Sequence, residues 1–403
     1  MTRRILFALL AMGVAQAAVY MVRPMTSYRL LAYGEGARDV GLVAAAFALL
    51  PIFLAIPLGR FSDRRSGAPL LLVGCAIQTV GCLLLALSST TLTIAAASAV
   101  VGVGHLALAL GAQDVIARES GSERHDSHFG LLTAGVSIGQ LVGPLLVAVL
   151  LGAGGVPSVA ATTRGMLVAA AIAAVATGCA AVAERSGGDY APRAGARRGS
   201  VRAIVRTKGV PAGIFASIAV LAASDVFVAY LPVIGAQNDI GPRTIGLLLA
   251  LRAAASIAVR VAIGPIVRHV GRKQLITIGA AAAAIALAVM TVTTNVWVLA
   301  ALSVVAGLGM GFGQPLSMTL VVQLVPENAR STALAVRLTG NRIGQVATPA
   351  VAGLIAGSRG AASVFWLLSG MLVASAVAIQ RPVSRRRKPG ASEPRAAETL
   401  LEE

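Results

Sequence analysis

Seven ionisable side chains stand inside long apolar stretches of this chain: Arg23, His105, Asp225, Arg252, Arg260, Arg337 and Arg342. A charge at the centre of a bilayer costs about 2.5–3.5 kcal/mol even on the lenient insertion scales, so each needs a partner or a use. Asp225 is the one acid near the middle of any stretch, and a carboxyl in that setting can alternate between charged and neutral. Helical depth puts it close to the level of Arg252, so a structural salt bridge between the two is the competing expectation. His105 is the second candidate to hold a proton, with polar packing as its alternative role. Helical spacing aligns Gln16, Tyr20, Arg23 and Ser27 on one face, and Arg337, Asn341, Gln345 and Thr348 on another. Arg252, Ser256 and Arg260 share a third. Arg342 falls off its stripe and is expected to meet backbone carbonyls or a neighbouring helix. Tyr20, Arg23, Arg252, Gln314, Arg337, Asn341 and Gln345 are the candidates to contact a small solute. The arginine surplus over Asp225 favours an anionic or zwitterionic one.

The elements that carry these residues are set by composition. Hydrophobic residues make up 57% of the 403 and charged ones 12%, with a mean hydropathy of +0.82, so lipid rather than water is the solvent. Twelve apolar stretches fall at about 5–31, 40–58, 69–88, 92–115, 129–152, 163–183, 210–234, 244–267, 274–292, 296–323, 331–356 and 361–380. Helices are expected, because hydrocarbon leaves unpaired backbone groups unsatisfied and no ten-residue barrel alternation is present. In this topology 24 of the 34 Lys and Arg lie on the side of both termini, 5 opposite and 5 within spans, which predicts cytoplasmic termini. Arg29 is counted among the outside five. The start of the chain imitates a cleavable signal, but apolar character resumes to Leu31, and the segment is read as the first span.

The domain plan is an N-terminal six-helix half over 1–184, a flexible basic linker over 185–209, a second half over 210–381 and a disordered tail over 382–403. A net charge of +18 raises nucleic-acid binding, yet only 4% of residues are aromatic and the basic runs separate apolar stretches, which argues against it. Cys75, Cys82 and Cys179 read as small packing residues, and neither a metal site nor another cofactor is expected. No ATP-binding phosphate loop occurs.

The sharpest pattern is a repeat at one offset of 205 residues. Gly41 matches Gly246, Gly59 matches Gly264, Gly74 matches Gly279, and Gly102 and Gly104 match Gly307 and Gly309. Ile138-Gly139-Gln140 matches Ile343-Gly344-Gln345, and Pro144 matches Pro349. Two parallel six-helix halves with a solute site between them follow. The Gly135, Gly139, Gly143 series reads as close helix packing.

The loop Gly59-Arg60-Phe61-Ser62-Asp63-Arg64-Arg65 resembles the Gly-x-x-x-Asp-Arg signature of the major facilitator superfamily, with Gly264–Lys273 as its degenerate copy. The resemblance covers about 380 residues and implies a twelve-helix fold that works by alternating access. It also implies a latch: Gly59 for close helix contact, Asp63 at a helix N-terminus across the halves, and Arg64 paired locally. Asp114 and Arg118 are expected to join that gate. The loop departs from the family pattern at Ser66-Gly67-Ala68-Pro69. Gly143-Pro144 is similar to the fifth-helix motif of drug/proton antiporters, whose fourth-helix arginine is missing here. The expected protein is a monomeric secondary transporter of a bacterial inner membrane, with proton-coupled efflux favoured. Uptake or facilitated diffusion of an anionic metabolite is the alternative, and a transporter-like receptor the rival of another class.

Overall fold

The computed structural model describes residues 1–64, 66–120, 125–186, 201–326 and 329–381. The N-terminal half is α1 (Arg3–Ala32), α2 (Ala37–Arg64), α3 (Gly67–Leu87), α4 (Thr91–Glu119), α5 (His125–Leu151) and α6 (Val159–Arg185). A short α7 (Val201–Arg206) precedes the second half, which is α8 (Val210–Gln237), α9 (Pro242–Val261), α10 (Ile263–Val270), α11 (Arg272–Met290), α12 (Val296–Gln323), α13 (Arg330–Arg359) and α14 (Ala362–Gln380). Part of the expected linker, residues 187–200, and the whole expected tail, residues 382–403, lie outside the described residues.

Eleven of these helices are long and apolar enough to cross a membrane by composition alone. The remaining span is α13, whose middle holds Arg337, Asn341, Arg342 and Gln345. At about 1.5 Å per residue its 30 residues reach about 45 Å, ample for a bilayer core. It packs on α2, α8 and α14, which shield those groups from lipid. The eighth stretch differs from expectation: it breaks at Ala262 into α9 and α10. Pro265 explains the break, since its ring opposes the carbonyl of Val261 and it has no N–H to give.

The repeat reappears as duplicated contacts. A Cβ on Gly102 would strike the carbonyl oxygen of Phe47, and one on Gly307 that of Arg252, the partner 205 residues on. Gly104 lies against Gly74 and Gln78 as Gly309 lies against Gly279 and Ala283. Gly139 and Gly143 seat α5 on α1, where an added Cβ would stand 2.6 Å from the Gly13 oxygen and 2.7 Å from that of Ala17. This is the small-residue packing expected of membrane helices, where close van der Waals approach replaces a hydrophobic drive. Helices α3, α6, α11 and α14 pack on members of their own half, while α1, α2, α5, α8, α9 and α13 make the contacts between halves.

Between the halves the two ends differ. At the end opposite the termini, Gly41 meets Gly353 and the Tyr230 hydroxyl, Gly246 meets Pro144 and Ala148, and Gly241 meets Ala153 and Gly154. Tyr230 donates to the Ala37 carbonyl at 2.9 Å, and the Arg243 N–H donates to Gly152 at 2.8 Å. At the terminal end nothing stands within 4 Å of a Cβ built on Gly59, Gly130 or Gly264. Among the described residues, therefore, the tightest approaches between the halves lie at the far end, which is closed.

Arg29, counted with the outside residues, is buried in the last turn of α1 and 1% exposed, inside the N-terminal half. Its guanidinium donates to the carbonyls of Ser88 at 3.1 Å and Ala86 at 3.3 Å and to Thr163 Oγ1 at 2.8 Å. A cation thus caps the C-terminal carbonyls of α3, where the helix dipole favours it, and ties α1, α3 and α6 together. Arg29→Ala leaves buried acceptors unpaired and is expected to lower the stability of the detergent-solubilised protein by about 3 kcal/mol. A thermal or denaturant unfolding curve superimposable on wild type would contradict that role.

Candidate functional site

The centre of the site is built on α1, α8 and α13. Val22, Arg23, Thr26 and Ser27 leave α1 toward α8, where Ser27 Oγ donates to the Ala229 carbonyl at 2.8 Å. One turn below, Arg23 Nη1 meets Asp225 Oδ1 at 2.5 Å, an ion pair whose side chains are 17% and 7% exposed. The pair joins the two halves. Gln345 Nε2 donates to the other carboxylate oxygen at 2.7 Å, and Arg342 Nη1 donates to Gln345 Oε1 at 3.0 Å. The Arg23 guanidinium also stands 4.6 Å from the centre of the Phe47 ring and 5.7 Å from that of Tyr20, two cation–π contacts that favour its charge in a dry place.

The expected pairing of Asp225 with Arg252 does not form. Arg252 Nη1 instead donates to Ser224 Oγ at 2.9 Å, and its guanidinium stands 5.6 Å from the Phe227 ring centre. Depth alone permits the expected pair, but successive residues on a helix point about 100° apart, so α8 offers Ser224 to α9 and Asp225 to α1. Arg342 likewise differs from expectation: its hydrogen bond goes to Gln345 of its own helix, and neither backbone carbonyls nor a neighbouring helix receives it.

The repeat extends into the chemistry. Gln140 Nε2 donates to the Tyr20 hydroxyl at 3.2 Å, and adding 205 to each number gives Gln345 and Asp225. One architecture thus presents a phenol in the first half and a carboxylate in the second. Phe47, under the Arg23 guanidinium, likewise occupies the repeat position of Arg252. Gln140 and Phe47 are absent from the candidates that the sequence suggests, although the offset that aligns the two halves points to both.

Gln314, Arg337 and Asn341 gather elsewhere. Arg337 Nη2 donates to the Gln314 carbonyl at 2.9 Å and its Oε1 at 2.8 Å, Gln314 Nε2 donates to the Ser217 carbonyl at 2.7 Å, and Ser217 Oγ donates to Asn341 Oδ1 at 2.8 Å. Ser217 is eight residues before Asp225, so this network lies about 12 Å nearer the terminal end, where it ties α8, α12 and α13. His105 stands beside Phe47, ring centres 6.0 Å apart, and its buried Nδ1 has no partner among the described residues. At the terminal end Arg118 Nε donates to Asp114 Oδ2 at 2.6 Å and Nη2 to the Ser62 carbonyl at 3.0 Å, which ties α4 to the end of α2. The side chains of Asp63 and Arg64 lie outside the described residues.

Above the ion pair, toward the far end, a cavity of about 40 Å³ is lined by Arg23, Thr26, Ser27, Ser98, Asp225 and Gln345 among Val, Leu and Phe side chains. That volume holds a few waters. A buried ion pair thus joins the two six-helix halves next to a small polar cavity. The chain belongs to the Major Facilitator Superfamily, whose family model matches residues 8–209 and 213–402. It is a multi-pass secondary transporter and not an enzyme.

Solved structures with the same fold include a point-mutant form of the nucleoside transporter NupG (TM-score 0.77, 13% identity, covering 94% of this chain and 99% of that one). A POT family transporter in complex with 5-aminolevulinic acid gives a TM-score of 0.75 at 14% identity, covering 94% and 96%. A bacterial homolog of the human lysosomal transporter Spinster, inward-facing and unoccupied, gives 0.66 at 15%, covering 93% and 95%. No curated protein sequence matches the chain.

Proposed function

We propose that this transporter carries a small anionic solute together with a proton, with Asp225 holding the proton and Arg23 the anion. The observation that carries the reading is the Arg23–Asp225 ion pair between the halves. While Asp225 is charged it occupies Arg23. A proton on Asp225 frees the guanidinium, and an anion can take the carboxylate's place. Proton and anion therefore favour each other's binding, which is the linkage of cotransport. Antiport, on which proton-coupled efflux rests, needs the two to compete, so this pair speaks for the uptake alternative.

The charged and polar groups facing Asp225 support the same sign of solute. Arg23 comes from α1 and Arg342 and Gln345 from α13, with Arg252 of α9 on the neighbouring Ser224 and Tyr20 and His105 at the edge of the cluster. Desolvated cations without matching acids are costly unless a ligand completes them.

The terminal end is taken as cytoplasmic because it holds most of the basic residues, so closure of the far end makes this the inward-facing state. Reporters fused after Ser200 and at the C-terminus are expected to read cytoplasm, and one inserted near Gly155 outside; any other pattern overturns that orientation. The Asp114–Arg118 pair and the Gly59–Arg64 segment serve as the gate at this end. The coupling itself is tested in proteoliposomes with a panel of small organic anions. An inward proton gradient should drive accumulation of the solute inside. Accumulation under an outward gradient instead would mean antiport.

A further inference from the structure

Resting on the anion reading, we infer that the solute bears two acidic groups, and that a second anion subsite on Arg252, Arg260 and Tyr20 takes the group that Arg23 does not. Arg252 is 4% exposed and has no carboxylate within 4.0 Å among the described residues, where its buried Nε also has no hydrogen-bond partner. Arg260, two turns along the same face of α9, repeats the arrangement: Nη1 reaches Ser137 Oγ of the other half at 3.1 Å, while its buried Nε has no partner among the described residues. Two guanidiniums held this way by neutral hydroxyls retain unused donors in low dielectric, and the group that satisfies such donors is an anion.

Tyr20 supplies the third wall. It lies within electrostatic reach of Arg23, Arg252 and Arg260 together. Its hydroxyl oxygen accepts from Gln140, and its own proton has no acceptor among the described residues, so it is available to a ligand oxygen. Arg23 and Arg252 are anchored on consecutive residues of α8, Asp225 and Ser224, whose Cα atoms are about 3.8 Å apart. The two guanidiniums therefore sit at one membrane level, on faces of α8 about 100° apart. A molecule with carboxylates at its two ends can engage both once Asp225 is protonated. A monoanion leaves one side unfilled.

Binding of dicarboxylates of increasing chain length, from malonate to adipate, is measured calorimetrically on the detergent-solubilised protein, beside the monoamide of each and a phosphate monoester. One member of the series should bind at least about tenfold tighter than its monoamide, the discrimination expected when a site's buried donors go unpaired. Arg252→Gln should remove that preference, lowering dianion affinity by at least about tenfold relative to monoamide affinity, and the retained monoamide binding reports a folded site. Equal affinity for dianion and monoamide in the wild type, or parallel losses of both in Arg252→Gln, would overturn the second subsite and leave the Arg23 reading standing. Tighter binding of the phosphate monoester would place both charges on one group and overturn the two-ended ligand. Absence of binding by every anion tested would overturn the subsite and the anion reading together.

Discussion

Asp225→Asn is expected to abolish accumulation driven by a pH gradient while solute binding and solute-for-solute exchange survive. Asn keeps the shape of the carboxyl and can still meet Gln345 and Arg23, but it carries no charge and cannot take a proton. In the wild type the carboxylate occupies Arg23 at 2.5 Å, and on the proposed coupling a proton must release it before an anion can bind. In the variant Arg23 is free at every pH. The sign follows: wild-type affinity for the anion should fall as pH rises, by up to tenfold per unit, while the variant's should be flat and at least as tight. Removing one member of a buried ion pair ordinarily costs about 3–5 kcal/mol, and here the rings of Phe47 and Tyr20 moderate that cost by facing the guanidinium. A variant that still concentrates solute on a pH gradient alone would reduce Asp225 to a structural partner of Arg23, with His105 the next candidate.

Gly41→Leu is expected to hold the far end open and to stop transport. Gly41 touches the backbone of Gly353 and the hydroxyl of Tyr230, and its repeat mate Gly246 has Pro144 and Ala148 in the corresponding place. The far-end closure thus includes two symmetric backbone approaches, and a side chain at either one must separate α2 from α13 or α9 from α5. Overpacking costs about 1–3 kcal/mol, so the balance between closed and open far ends moves by up to about 150-fold. The readout is a cysteine at Ser27, in a background without Cys75, Cys82 and Cys179. Ser27 is 2% exposed and lines the cavity beneath the closure. An impermeant maleimide added from the far side should label it in Gly41→Leu and spare it otherwise. Normal transport without labelling would show that the closure lies elsewhere.

These residues differ in how far the sequence discloses them. The twelve helices and two halves follow from apolar length and from the 205-residue offset, because lipid leaves the backbone few choices and duplicated glycines mark duplicated contacts. Asp225 and Arg23 stand out by their cost. Their pairing does not, because depth along a helix is legible from residue numbers while the rotation of α8 against α1 and α9 is set by packing between helices. The same reason hides the Arg342–Gln345 contact and scatters the expected solute residues into a central cluster and an inner network. Arg29 is counted with the outside residues because it stands near a span end, and its burial is not legible; the carbonyls that bind it belong to the end of α3, which sequence spacing does not bring near. Phe47 and Gln140 carry no charge to draw notice, yet their repeat mates are Arg252 and Gln345.

The central claim is that proton and anion occupy the site together, and proton exchange on binding tests it most directly. An anion from the panel that binds is added to the purified protein in weakly buffered detergent, and pH change is recorded against occupancy. Uptake of about one proton per bound anion is predicted for the wild type at a pH where Asp225 is charged in the free protein, with none for Asp225→Asn. Proton release on binding would mean that the two compete, as antiport requires, and would contradict the account.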